Sequence, residues 1–172
     1  MNDQLDILRK RARELARPLQ DMEQESDVLK IVEFQLGGEI YGLELDLILE
    51  VYPLRGLTPI PGVPSFVQGI INVRGQIVSV IDLRIFFEMQ SQELSDSTSV
   101  IILQSKNMEF GILADAIIGI DTIAKKEIMP TLPTLTGIRA DFLKGVSRER
   151  LVILDGAKLL ADTRLIVNEE VV

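Results

Sequence analysis

The chain has 172 residues, 18 of them basic and 26 acidic, for a formal net charge of −8; hydrophobic residues make up 47% and aromatics only 5%. It has no cysteine and no histidine, which excludes a disulfide framework, thiolate and imidazole metal sites, serine–histidine and cysteine–histidine nucleophiles and a phosphorylatable histidine. The acidic balance disfavours nucleic acid, whose phosphates dominate affinity, and no apolar run approaches the roughly 20 residues that span a bilayer.

Residues 1–27 read as an N-terminal extension without a secretory apolar core. Leu5, Leu8, Ala12, Leu15, Leu19 and Met22 recur at helical spacing beside Arg9, Lys10, Arg11, Arg13 and Arg17, so an amphipathic helix is expected, kinked or ended by Pro18. Such a helix packs on its own domain or docks on a partner helix; Asp3, Asp6 and Glu14 dilute the basic face that a membrane surface would select. Glu23 to Asp27 is a polar linker.

From Lys30 the pattern turns to β. Val32, Phe34 and Leu36 alternate with polar residues, Gly37-Gly38 signals a hairpin, and Ile40 to Leu43 return. Leu45 to Leu49 suit one helical turn and Val51-Tyr52 a strand, followed by a loop punctuated by Pro53, Pro59, Pro61 and Pro64. Phe66–Val73 and Gln76–Ile81 flank an Arg74-Gly75 turn, the clearest hairpin in the sequence. Asp82 is placed to cap a short helix through Phe87.

The polar stretch 88–99 reads as a boundary, after which the organisation repeats. Val100–Leu103 is a strand, Lys106-Asn107 a turn, and Phe110-Gly111-Ile112 echoes Tyr41-Gly42-Leu43. Gly119–Ile123 follows, and Pro130 and Pro133 punctuate a second loop. Phe142–Val146 matches Phe66–Ile70, and Leu151–Asp155 matches Ile77–Asp82. Two copies of one β unit are implied. Short strands with frequent turns fit a pair of small barrels, and each copy is small enough to need the other, so an apolar interface between them is expected.

The carboxylates set beside apolar stretches are Asp82, Asp115 and Asp155; Asp82 and Asp155 occupy equivalent strand ends, as repeated helix caps would. The main reading from another functional class is a carboxylate-dependent hydrolase, which needs two carboxylates facing one substrate. Gly69 and Gly145 match each other, and glycine inside a strand marks a bulge or a close backbone approach. Glycine-rich and acidic stretches match neither a phosphate loop nor a calcium loop, so no cofactor or metal is expected. Arg74, at a hairpin tip, reads as an exposed turn residue or as an interface residue with a forked donor.

The stretch Phe66–Arg84, with its Gly69, its Asn72-Val73-Arg74-Gly75 turn and its Ile81-Asp82-Leu83-Arg84 end, resembles the CheW family of chemotaxis coupling proteins, and the likeness runs over about residues 30–163. Val73 and Ser79 depart from the usual Leu and Pro, the N-terminal extension is less typical, and the long C-terminal helix of some relatives is not expected after Leu160. The resemblance implies a mainly β fold of two SH3-like five-stranded barrels over residues 28–165, intertwined subdomains at roughly 28–90 and 98–163, with short helices and a tail at 166–172. It implies a cytoplasmic, non-enzymatic scaffold, without cofactor or direct membrane insertion, that joins chemoreceptors to a CheA-like histidine kinase at membrane-associated arrays, or serves a non-motility chemosensory pathway. It carries over a receptor-facing set of Arg74, Asn72, Gly69 and Ile48, with Glu50 and Gly75 as kinase-interface or turn residues.

Overall fold

The computed structural model describes residues 27–90, 93–130 and 138–165; the expected helix within residues 1–26 and the tail at 166–172 lie outside them. In chain order the elements are β1 (Val28–Leu36), β2 (Glu39–Glu44), β3 (Ile48–Pro53), β4 (Val67–Val73), β5 (Gln76–Ile81), α1 (Leu83–Phe86), β6 (Ser99–Gln104), β7 (Glu109–Ala114), β8 (Ala116–Ala124), α2 (Ile138–Asp141), β9 (Leu143–Val146), β10 (Val152–Leu154) and α3 (Gly156–Ala161). Between β2 and β3 the helical turn expected over 45–49 is a 3₁₀ turn of Leu45–Leu47, and Ile48 already belongs to β3.

The strands form two five-stranded sheets, β8-β1-β2-β10-β9 and β3-β6-β7-β5-β4. Both have the same plan. An antiparallel hairpin (β1–β2, or β6–β7) is flanked on one side by an antiparallel strand and on the other by a parallel one, which pairs in turn with an antiparallel partner. Glycines lie at equivalent ladder positions, Ile153 opposite Gly42 and Val80 opposite Gly111. The duplication read in the sequence is therefore present.

Its division is not the one expected. Each sheet takes the hairpin of one copy and the last three strands of the other, so neither 28–90 nor 98–163 forms a sheet by itself. The connections explain the exchange. Three residues separate β2 from β3 and one, Asp115, separates β7 from β8. Asp115 alone is too short for a hairpin, which needs about two loop residues, and Leu45–Leu47 form a 3₁₀ turn in place of a reversing loop, so at both points the chain crosses into the other sheet.

Three apolar clusters fill the molecule. Ile31, Ile123, Leu151 and Ile153 fill one sheet's concavity. Ile71, Val73, Val78, Val80, Val100, Ile102 and Leu113 fill the other's. The largest lies between the sheets and draws Phe34, Leu36, Tyr41 and Leu43 from one, Ile81, Ile101, Leu103, Phe110 and Ile112 from the other, and Phe86, Phe87, Phe142, Leu159 and Leu160 from the helices and their flanks. At its rim the rings of Phe66 and Phe142 pack against Phe86 at centroid distances of 5.1 and 5.4 Å. The Arg164 guanidinium lies 5.1 Å from the Phe86 centroid and is held by a two-pronged bond to Asp162.

Both expected caps form. Asp82 Oδ1 accepts the Arg84 N–H at 3.0 Å, and Asp155 Oδ1 accepts the Lys158 N–H at 3.1 Å. Asp155→Ala is expected to lower stability by about 1 kcal/mol. The effect should appear as an earlier urea midpoint with an unchanged slope; an unmoved midpoint would show that α3 does not depend on the cap.

Candidate functional site

The β4–β5 hairpin closes from the Val73–Gln76 pair through two residues, Arg74 and Gly75, both with positive φ, 53° and 84°. That is the type I′ turn, whose twist suits the flanking strands and whose central positions favour Asn, Asp or Gly. Asn72 Oδ1 accepts the Gly75 N–H at 2.9 Å and secures the turn. Glycine meets the second position without strain, whereas a β-carbon at the first costs about 1 kcal/mol. The turn itself gives no reason for arginine.

Arg74 reaches across the mouth of the sheet. Its Nη2 donates to Glu50 Oε1 at 3.1 Å, although β3 and β4 are the two outermost strands of the sheet. The contact shows the sheet rolled until its edges approach. The Arg74 side chain is 83% exposed, and an ion pair so exposed adds less than about 1 kcal/mol to stability. What the pair does is aim the guanidinium, leaving further donors directed to solvent.

Below this pair lies an open groove of about 290 Å³ lined by Leu49 and Glu50 of β3, Val73 of β4, Arg74, Gln76 of β5, Ile102 of β6 and Glu109 of β7. Leu49, Val51 and Ile77 are exposed apolar residues on the same strands. A shallow surface that mixes exposed apolar residues with one aimed arginine and flanking carboxylates has the make-up of a protein interface.

Of the expected receptor-facing residues, Arg74 and Asn72 sit together at the hairpin tip, with Gly75 between them and the strand and Glu50 as the ionic partner. Ile48 pairs with Leu103 and packs on the core between the sheets. Gly69 is buried, five residues from Arg74 along the chain, about 17 Å of strand. The Thr58–Ile70 backbone bridge passes over it, and a β-carbon at Gly69 would stand 2.2 Å from the Thr58 carbonyl oxygen. Ile48 and Gly69 thus support the surface from within.

The three aspartates have separate fates. Asp155 only caps. Asp82 and Asp115 converge on Arg84, the last residue of the motif that carries the family resemblance, which is only 1% exposed. Arg84 donates from Nε and Nη2 to the two oxygens of Asp82 at 2.9 and 2.8 Å and from Nη1 to Asp115 Oδ1 at 3.1 Å. Asp115 Oδ2 accepts the Gly37 N–H at 2.8 Å. The network joins the end of β5, the β7–β8 crossover and the β1–β2 turn. Hydrogen bonding to Asp82 outweighs burial and holds Arg84 more firmly protonated than usual. Its sequence signal was an arginine set between Leu83 and Ile85 in an otherwise apolar helix.

Glu50 and Glu109 do share the groove, as a hydrolase would require, but Glu50 is tied to Arg74 and the floor is shallow and open. Among the described residues no group of three or more acidic, Cys or His side chains is placed to hold a metal.

Comparison with known proteins agrees with this architecture. The family model of the CheW-like domain matches residues 30–164. The chain is 29% identical to the chemotaxis protein CheW of Treponema pallidum, with 79% of this chain and 84% of that one aligned, and 33% identical to that of Klebsiella aerogenes, with 80% and 85% aligned. It is 30% identical to the protein FrzA of Myxococcus xanthus, over 76% of this chain and 84% of that one. The crystal structure of the scaffolding protein TtCheW from Thermoanaerobacter tengcongensis superposes with a TM-score of 0.66 at 34% identity, covering 73% of this chain and 82% of that one.

Proposed function

From the premise that this chain belongs to the CheW-like domain family, we propose that it is a non-enzymatic adaptor of chemosensory signalling, coupling chemoreceptor tips to a CheA-like histidine kinase. The observation that carries the reading is the arginine at the type I′ turn. Position 74 bears a residue the turn does not favour, aimed by Glu50 over a groove of mixed apolar and polar lining, and an ordinary exposed turn would be served better by asparagine. A receptor's helical hairpin tip would lay apolar residues on Leu49, Val51 and Ile77 and offer a carboxylate or carbonyl to Arg74. Asn72 and Gly75 shape the turn, and Ile48 and Gly69 position its strands. The kinase would take a separate face of the molecule. Among the described residues no helix is long and apolar enough to cross a membrane, so recruitment from the cytoplasm to membrane arrays would come through partners.

Arg74→Asn separates the roles. It is expected to leave the melting temperature equal or slightly higher, since asparagine suits the left-handed position, and to weaken association with a receptor cytoplasmic fragment by about 1–3 kcal/mol. Titration of the fragment with both proteins measures this. Unchanged affinity would remove Arg74 from the receptor contact, and a lower melting temperature would assign it to the fold.

A further inference from the structure

The groove below Arg74 holds two carboxylates and one cation. Glu50 is answered by Arg74. Glu109, partly buried at the start of β7, makes no side-chain hydrogen bond or ion pair among the described residues, although Lys106 lies in the same hairpin. The ladders set its direction. Glu109 pairs with Gln104, Gly111 with Ile102, and Ile102 with Glu50. Partners across a ladder share a face, as do residues two apart on one strand, so Glu109 points to the same inner side as Ile102 and Glu50.

The duplicated fold supplies its own control for this position. The β1–β2 hairpin repeats β6–β7 with Gly42 in the place of Gly111, so Glu109, two residues before its glycine, corresponds to Ile40. Ile40 is 46% exposed at the mouth of its own sheet. A position that takes isoleucine in one copy has no structural need for a carboxylate in the other. Beside Val73 and Ile102, that carboxylate weakens the apolar contact a partner could make unless the partner brings a cation to meet it. Arg74 stands across the same floor. Only β5 lies between β4 and β7, so about 10 Å, two strand spacings, separates their strands, and one contact segment reaches both charges.

We propose that Glu109 is a specificity residue of this groove: it selects a receptor tip that carries a lysine or arginine within about 10 Å of the acceptor taken by Arg74, and rejects tips that are acidic or wholly apolar at that point. The inference rests on the receptor reading of the groove and adds the order of charges the partner must have. Glu109→Gln, Glu109→Lys and Glu109→Ile are compared with the parent chain and with Arg74→Asn by titrating one receptor cytoplasmic fragment at low and at high salt. Glu109→Ile copies the other sheet and serves as the folding control, with a melting temperature equal to the parent's or higher. At low salt Glu109→Gln and Glu109→Ile are expected to bind about three- to fivefold more weakly. Glu109→Lys should lose more than about tenfold, mainly through slower association, and high salt should bring the variants and the parent together. If Glu109→Gln or Glu109→Ile binds as tightly as the parent while Arg74→Asn binds weakly, the charge requirement is overturned and the receptor reading stands. If Arg74→Asn also binds as tightly as the parent, the receptor reading itself fails and takes this inference with it. A loss in Glu109→Lys that high salt does not relieve would assign the residue to packing and overturn the proposal.

Discussion

Replacing Arg84 by Met is expected to lower the unfolding free energy by about 3–5 kcal/mol, the cost of stranding a buried carboxylate without its cation. Asp82 is 2% exposed and gives both oxygens to the guanidinium, so it cannot turn to water when that group is gone. Asp115 would lose the bond that anchors the β7–β8 crossover. Against a total of about 5–15 kcal/mol for a typical domain, this is a large fraction. Adding Asp82→Asn to the Met variant should restore part of the loss, because the amide oxygen can still cap α1 and only the partly exposed Asp115 carboxylate remains charged. Urea unfolding of the two single variants and the double variant tests the claim. A loss under about 1 kcal/mol for Arg84→Met, or strict additivity in the double variant, would show that the network does not act as a unit.

The second large effect comes from the repeated glycines. A β-carbon at Gly69 would meet the Thr58 carbonyl oxygen at 2.2 Å, and one at Gly145 the Met129 carbonyl oxygen at 2.3 Å. In each case the neighbour is backbone, fixed by a reciprocal pair of hydrogen bonds: Thr58 with Ile70, both at 2.9 Å, and Met129 with Val146 at 3.0 and 2.9 Å. No rotamer change relieves the clash. Gly69→Ala and Gly145→Ala should therefore each cost about 2–3 kcal/mol, at the upper end of ordinary overpacking. Equal costs are the distinctive expectation, since the two positions are copies of one device. Thermal unfolding would reveal a loss at one site and none at the other, and that result would break the equivalence. Gly69→Ala would also loosen the Thr58–Ile70 bridge at the base of the Arg74 hairpin.

Much of this fold could be read from residue patterns. Alternation located β1, β4 and β5, the Arg74-Gly75 pair marked its turn, and Asp82 and Asp155 stood where caps belong. Matching Tyr41-Gly42 with Phe110-Gly111 exposed the duplication. The exchange of strands between copies could not be read in the same way. Two similar hairpins can each pair with either set of partner strands, and the choice rests on contacts distant in sequence; only the single-residue link at Asp115 rules out a local hairpin, that of β7 with β8. The turn was legible at Asn72 and Gly75, where local chemistry speaks. Glu50 was named, but its pairing with Arg74 was illegible, because it lies 24 residues away and is brought near only by the curl of the sheet. Ile48 and Gly69 look alike as surface or core in a string of letters, because the side of a strand that meets water is set by its partners. Arg84 was read only as the end of the family motif and not as a buried cation, because arginine is ordinarily an outer residue and its second carboxylate, Asp115, is distant in sequence.

The exchanged strands also govern how the chain can assemble. While only the first ninety residues have left the ribosome, the β1–β2 hairpin has none of β8, β9 or β10 to pair with, and β3 to β5 lack the central hairpin that must lie between them. Neither half can finish alone. Synthesis must pass residue 114 before the β3-β6-β7-β5-β4 sheet has all its strands and residue 154 before the other sheet has, so strands from both halves of the chain must be present before either unit can close.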